Sequence, residues 1–245
     1  MSRGPRVSVI VFPGTWSDRD FAHAATLLGW EASLVWHTET DLPAPDAVVL
    51  PGGFAHGDHL RTGAIARFSP AMRAVEAFAA AGGPVLGSCN GFQILTEAGI
   101  LPGALLRNDH LEFRCDWQSL RVEVTDGPWL GELESGESIR LPISHGEGRY
   151  YADEGVLDEL ERSGRVALRY ADADEAAGGQ GNGGNPNGSL RSIAGIVNER
   201  GNVLGLMPHP ERAMEDEVGG SDGIRLLRSL DRWLVAQPAV AERRL

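Results

Sequence analysis

Lysine is absent from this chain of 245 residues, in which all 22 basic side chains are arginines. The absence excludes the lysine of a P-loop that binds nucleotide phosphates, a Schiff-base lysine and a Ser-Lys nucleophile pair. We therefore expect no ATP site in this chain and a chemistry that proceeds without an amine.

Positive charge is scarce as well, with a formal net charge of -12. Phosphate backbones require a basic surface, so we expect no nucleic-acid partner. No stretch of the sequence approaches the roughly 18 apolar residues of a membrane helix, so no membrane partner is expected either. The 42% hydrophobic and 23% charged content is ordinary for a soluble protein, and we predict a cytoplasmic one.

Cysteine is rare. Cys89 and Cys115 are the two in the sequence, at a spacing that matches no metal motif. Two cysteines in a chain of this size do not make a disulfide framework, which fits a reducing compartment. We predict no metal site and no cofactor bound by this chain.

Apolar runs alternate with amphipathic stretches in the first half, the pattern of βαβ units on a parallel sheet. The predicted strands are residues 6–11, 31–36, 47–50, 84–87, 119–125 and 140–144, with a hairpin formed by 193–197 and 203–207. The predicted helices are residues 21–28, 90–98, 154–163 and 223–235, and one that begins after Ser69 and ends at Gly82. We predict one α/β domain over residues 1–245, a mainly parallel sheet with helices on both faces and an added hairpin. Residues 172–189, rich in Gly and Asn, are expected to form a mobile surface loop.

Cys89 lies in the run GSCNG at residues 87–91, between a predicted strand and a predicted helix. This is the context of a nucleophile elbow, where glycines allow a turn too tight for Cβ atoms. The helix N-terminus favours a thiolate there, and the Asn90 N–H is a candidate oxyanion donor. A lone cysteine is more often a buried small hydrophobe, but the glycines and the strand–helix position favour a nucleophile.

A thiolate nucleophile requires a base, and His209 stands out among seven histidines because it lies in MPHPE at residues 207–211. The flanking prolines favour an extended segment, which would project His209 and Glu211 to the same side. The carboxylate would then hold the imidazole, giving a Cys-His-Glu triad. A polar loop after a hairpin strand is the alternative. His56 and His59 lie in a glycine-rich loop and are candidates for ligand contact.

Two glycine motifs could approach a ligand closely. PGG at residues 51–53 follows a predicted strand, and the Gly53 N–H is the candidate for the second oxyanion donor. HGEG at residues 145–148 also permits close backbone approach, although this motif is weak by itself. Without the elbow, PGG would be read as a simple turn.

The order PGG, GxCxG and a distant HPE resembles the triad-type class I glutamine amidotransferases. Longer stretches are similar to the glutaminase subunits of phosphoribosylformylglycinamidine synthase, which acts in purine biosynthesis. They are GGFAHGDHLRTGAIARF from Gly52, CNGFQ from Cys89, HGEG from His145 and NERGNVLGLMPHPER from Asn198. The resemblance covers essentially the whole chain.

The resemblance implies a flavodoxin-like amidotransferase fold and the hydrolysis of glutamine to glutamate and ammonia. Cys89 would form a γ-glutamyl thioester, His209 would shuttle protons and Glu211 would orient His209. Gln93 would contact substrate, and backbone at two segments would hold glutamine, here Gly52, Gly53, Ser144, Gly146 and Glu147. A large synthetase subunit, with ATP and Mg²⁺, and in some relatives a small third subunit, would be the partners.

Two positions depart from the family pattern. The first βα loop usually reads GSNCD and is GTWSD at residues 14–18, and the residue before the nucleophile is usually aliphatic but is Ser88. The sequence leaves three other functions open. They are an amidotransferase serving another synthetase, a catalytically silent scaffold, and a stand-alone cysteine hydrolase, for which an HPE ending is not expected.

Overall fold

A large mixed sheet forms the centre of the computed structural model, which describes residues 4–172 and 184–237. Its strands are β1 (Arg6–Val11), β2 (Glu31–Trp36), β3 (Ala47–Leu50), β4 (Val85–Ser88), β6 (Arg114–Val122), β7 (Ser138–His145), β9 (Val166–Ala171), β10 (Ile193–Val197) and β11 (Val203–Leu206). Two short strands, β5 (Ala104–Leu106) and β8 (Arg149–Tyr151), pair separately. Within the described residues, the order in the large sheet is β2-β1-β3-β4-β11-β10-β9-β6-β7.

The first five strands of that order, from β2 to β11, pair in parallel. Three of them, β1, β2 and β3, have the bounds predicted from sequence. Because parallel strands share one carboxyl edge, the loops that follow β3, β4 and β11 meet there. These loops carry the PGG, GSCNG and HPE motifs.

The remaining strands extend the sheet in antiparallel fashion from the predicted hairpin of β10 and β11. The extension is longer than expected because β9 was not predicted. Its sequence, VALRYA, is buried at nearly every position and so lacks the alternation typical of a half-exposed strand. Strand β6 begins at Arg114 instead of residue 119, since its exposed first residues are held by pairing with β7.

Five α-helices of the described chain cover the sheet. They are α1 (Asp18–Leu28), α2 (Pro70–Ala80), α3 (Asn90–Glu97), α4 (Glu154–Arg162) and α5 (Asp222–Ala236). One buried cluster contains side chains of α1 and α5, and a second contains those of α2, α3 and α4. Helices therefore cover both faces, and the predicted α/β fold class is confirmed.

No helix in the described parts of the chain is long and apolar enough to cross a bilayer. The predicted loop at 172–189 is only partly described, since residues 173–183 lie outside the described residues. Its last part is not a surface segment, because Asn187 and Ser189 are buried. Their side chains bond to each other and to backbone near the site described next.

Candidate active site

Cys89 occupies the sharp turn between β4 and α3 that the sequence predicted. Its φ of 50° is positive, a strained conformation for a residue with a Cβ that costs on the order of 1–3 kcal/mol. The positions flanking Cys89 must be glycines for steric reasons. A Cβ on Gly91 would lie 1.9 Å from the Leu50 carbonyl oxygen, and one on Gly87 would lie 2.6 Å from Leu95 Cδ1. Only glycine at both positions lets this turn present the thiol.

His209 and Glu211 lie together beside the turn and are both buried. Nδ1 of His209 and Oε1 of Glu211 are 2.6 Å apart, a short charge-assisted hydrogen bond. Nε2 of His209 is also buried and has no hydrogen-bond partner among the described residues. His209 and Cys89 line the same small cavity. The arrangement leaves Nε2 free for proton exchange next to the thiol.

The charge state of His209 follows from its neighbours. Burial disfavours the imidazolium, but the Glu211 carboxylate and the Cys89 sulfur outweigh burial and raise the pKa of His209 to about 10. A protonated His209 is the partner that a thiolate at Cys89 requires. The raised pKa of His209 therefore keeps its imidazole protonated beside the Cys89 sulfur.

The backbone through HPE differs from the prediction. The expected extended segment is wrong, because Pro210–Arg212 forms one turn of 3-10 helix. The physical reason is that a proline at the first helical position is pre-set for a helical φ. His209 itself is non-helical, and its N–H donates to the Pro142 carbonyl oxygen at 2.8 Å. The two side chains still meet, as predicted, by a different path.

Gly53 and Asn90, the predicted oxyanion donors, have N–H groups that donate no hydrogen bond within the described chain. Gly53 is braced by the loop after β1. The Phe54 N–H donates to the Gly14 carbonyl oxygen at 2.8 Å, and a Cβ on Gly53 would lie 2.7 Å from Thr15 Cα. The loop that departs from the family pattern therefore supports the PGG turn.

Gly52 also has no room for a side chain. A Cβ there would lie 2.5 Å from Cε1 of His209. Its carbonyl oxygen accepts from the N–H groups of Trp16 and Ser17, both at 3.0 Å. Gly52 thus permits the close approach of the imidazole, and its predicted contact with substrate stays a prediction.

A cavity of about 150 Å³ opens beside the thiol. Its lining includes six of the predicted residues, namely Gly53, Cys89, Gln93, Ser144, Gly146 and Glu147. The Gln93 amide donates to the Glu147 carbonyl oxygen at 2.6 Å and accepts from the Asn90 amide at 2.8 Å. The Cys89 sulfur lies 3.6 Å from the Ser144 carbonyl oxygen. Gln93 therefore braces the cavity wall, and its contact with substrate remains a prediction.

His145 is a buried residue of the cavity lining and is not a competing base. Burial, and then repulsion from His209, lowers the pKa of His145 to about 3, so the ring is neutral. Asn108 Oδ1 lies 3.2 Å from Nδ1, and the Asn187 amide lies 3.5 Å from Nε2. Neither Asn108 nor Asn187 could be predicted from the sequence, because neither stands in a motif that indicates a contact across the fold.

Two further residues reach the site without having been predicted. Ser88, noted in the sequence as a departure, donates from its hydroxyl to Oε1 of Glu211 at 3.3 Å. Asp58 lines the cavity next to Cys89, and burial followed by repulsion from Glu147 raises the pKa of Asp58 to about 6. Asp58 lies in the glycine-rich stretch AHGDH, beside His56 and His59, which are candidates for ligand contact. Its position in this stretch is the sequence signal that could have identified it.

No group of three or more His, Cys, Asp or Glu among the described residues is placed to hold a metal ion. The prediction that the chain binds no metal or cofactor stays a prediction.

Comparison with known proteins agrees with the geometry. The family model described as a CobB/CobQ-like glutamine amidotransferase domain matches residues 4–219. Phosphoribosylformylglycinamidine synthase subunit PurQ of Thermomicrobium roseum is 57% identical over 226 residues, covering 92% of this chain and 94% of the relative. The PurQ subunit of Streptomyces avermitilis is 54% identical, covering 94% and 98%.

Among solved structures, a chain of PurLQS from Thermotoga maritima has a TM-score of 0.83 at 42% identity and covers 96% of this chain and 100% of that chain. The similarity in sequence and in fold extends over nearly the full length of each relative. This chain therefore belongs to the CobB/CobQ-like glutamine amidotransferases and, among them, to the PurQ subunits of phosphoribosylformylglycinamidine synthase.

Proposed function

We propose that this chain hydrolyses glutamine through Cys89, His209 and Glu211 and passes the ammonia to a partner synthetase. The observation that carries the proposal is the buried His209, held at 2.6 Å by Glu211, with its other nitrogen unpartnered beside Cys89. A nucleophile, a base and a group that orients the base are the parts that covalent amide hydrolysis requires.

In the first half-reaction, the Cys89 thiolate attacks the side-chain amide carbon of glutamine. Negative charge develops on the amide oxygen, and the N–H groups of Gly53 and Asn90 stabilise it. The imidazolium of His209 then gives its Nε2 proton to the amide nitrogen, the carbon–nitrogen bond breaks and ammonia leaves. A γ-glutamyl thioester and a neutral His209 remain.

In the second half-reaction, neutral His209 takes a proton from water, which attacks the thioester carbon. The carbon–sulfur bond breaks, glutamate leaves and the thiolate–imidazolium pair is restored. Glu211 stays ionised throughout and fixes which nitrogen of His209 carries the exchanging proton. Each proton that leaves His209 is thus recovered within one cycle.

The ammonia requires an acceptor elsewhere, because the sequence has no lysine and no P-loop for ATP. The relatives are named as subunits of phosphoribosylformylglycinamidine synthase, and the structural neighbour is from PurLQS. We infer that a synthetase subunit, with ATP and Mg²⁺, converts formylglycinamide ribonucleotide to formylglycinamidine ribonucleotide with this ammonia. We propose that a small third subunit also joins the assembly, which we place in the cytoplasm.

A covalent label tests the nucleophile directly. A diazo-ketone analogue of glutamine should alkylate Cys89, because only Cys89 lies beside the cavity and a base. Cys115 is the more exposed thiol, so a reagent without the glutamine group should react with Cys115 first. Peptide mapping that finds the analogue on Cys115, or a fully active Cys89→Ala, would contradict the assignment. Cys115→Ala is the matched control and should keep full activity.

A further inference from the structure

Asp58 presents a carboxylate to the active-site cavity with an oxygen left unsatisfied. Oδ1 of Asp58 is buried and has no hydrogen-bond partner among the described residues. The same residue lines the cavity that contains Cys89 and Gln93. A buried carboxylate oxygen without a partner is costly, and its presence at a cavity points to a ligand that supplies the missing donor.

The backbone that carries Asp58 is strained. His56, Gly57 and Asp58 have φ values of 56°, 69° and 53°, so two residues with side chains adopt the left-handed region. Such strain is retained where a ligand-binding group must be aimed.

The charged side chains that line the cavity are all acidic. Asp58 and Glu147 are its carboxylates, and no arginine is among the described lining residues. Glu147 already has a cation, since Oε1 lies 3.5 Å from Nε of Arg107. Asp58 has no ion pair in the described chain, and His145, the histidine of this lining, is neutral. The cavity therefore offers one uncompensated negative charge to its ligand.

We propose that Asp58 binds the α-ammonium group of glutamine, so that it selects an α-amino acid as the amide substrate. The inference rests on the proposed function, which places the side-chain amide at Cys89 and the donors of Gly53 and Asn90. The ammonium lies at the opposite end of the substrate, where it meets Asp58 across the cavity. An ammonium supplies the donor that Oδ1 lacks and the positive charge that the lining lacks.

The protonation behaviour of Asp58 agrees with this role. Without a ligand, burial and the Glu147 carboxylate raise the pKa of Asp58 to about 6, because both disfavour its charged form. A bound cation favours the charged form and offsets both effects.

The test compares glutamine with 4-carbamoylbutanoate, which lacks only the α-amino group, on the complex with its synthetase. Asp58→Asn should raise KM for glutamine about 10- to 100-fold, the range expected for loss of a hydrogen bond to a charged group. The kcat for glutamine should change little, since the ammonium takes no part in bond breaking. For 4-carbamoylbutanoate, kcat/KM should be the same in the wild type and in Asp58→Asn.

Asparagine tolerates a positive φ well, so the substitution removes the charge while retaining the loop. A thermal melt checks that the variant is folded. Asp116→Asn makes the same chemical change on an exposed carboxylate outside the cavity and should leave both substrates unaffected.

An equal loss of kcat/KM for the two substrates would assign Asp58 a structural role and overturn the inference, as would no loss for either. In both cases the wild type would still hydrolyse glutamine, and the proposed function would stand. A wild-type complex that releases no glutamate would overturn the proposed function and this inference together.

Discussion

His209 is the residue whose protonation controls the proposed reaction. Burial opposes its positive charge, while Glu211 and Cys89 together raise its pKa from 6.5 to about 10. Because the folded-state pKa is raised, the ion pair stabilises the fold in full below pH 6.5, and that contribution is lost as pH rises through about 10. His209→Gln removes the titration. The stability of the wild type relative to this variant should therefore fall between pH 7 and 10, which thermal melts across that range measure.

The same three side chains should contribute unequally to the rate. His209→Ala should abolish turnover nearly as completely as Cys89→Ala, about 10⁶-fold, because no other base among the described residues shares the small cavity with the thiol. Glu211→Gln should keep the fold and lose less, on the order of 10⁴-fold, since it orients the base without exchanging a proton. Steady-state glutamate release measures all three. If His145→Ala were the inactive variant and His209→Ala near normal, the assignment of the base would be wrong.

Ser88 adds a second hydrogen bond to Glu211, at 3.3 Å, from a position where the family usually has an aliphatic side chain. The other oxygen of Glu211 is buried without a partner among the described residues, so this hydroxyl is a substantial part of what holds the carboxylate. Ser88→Ala should lower kcat about three- to tenfold, as expected for one modest hydrogen bond. Ser88→Thr keeps the hydroxyl and should restore the rate. Equal losses in both variants would indicate a packing effect instead.

At the scale of elements, the site depends on loops that approach closer than side chains allow. A Cβ on Gly53 would lie 2.6 Å from the Gly14 carbonyl oxygen, a backbone atom that cannot move away cheaply. Gly53→Ala should therefore displace the proposed oxyanion donor and lower kcat about 10²- to 10³-fold, the effect of losing one such donor. Gly155→Ala, in α4, meets nothing within 4 Å and should leave kcat unchanged. A normal kcat for Gly53→Ala would remove this N–H from the mechanism.

At the scale of the whole molecule, the cavity carries two exposed aromatic side chains. Phe54 and Phe113 both line the cavity and are 42% and 51% exposed. A partner that covers these rings would exclude water and strengthen the electrostatic interactions inside. The isolated chain should therefore release glutamate slowly, and adding synthetase, ATP and ribonucleotide should raise the rate about 10²-fold.

The control for this experiment is the synthetase mixed with Cys89→Ala, which should show no glutaminase activity. A rate that is already maximal for the isolated chain, and unchanged on mixing, would refute the coupling. Activation by an extract that supplies only another synthetase would instead assign the chain to a different pathway.

The sequence by itself determined the parts of this protein that depend on local pattern. Strands β1, β2 and β3 have the predicted bounds because each is a short run in which most residues are apolar. The elbow at Cys89 was readable because its glycines and its strand–helix context are contiguous in the chain. His209 and Glu211 were readable as a pair because they are only two residues apart.

The tertiary structure decided what depends on distance across the fold. The bond from Ser88 to Glu211 joins residues 123 apart, and the approach of His145 to Asn187 joins residues 42 apart. No pattern in the sequence predicts such contacts, because they arise when the sheet brings separate loops to one edge. The unsatisfied oxygen of Asp58 belongs to the same class, because burial and the absence of a partner are properties of the packed molecule and not of any segment.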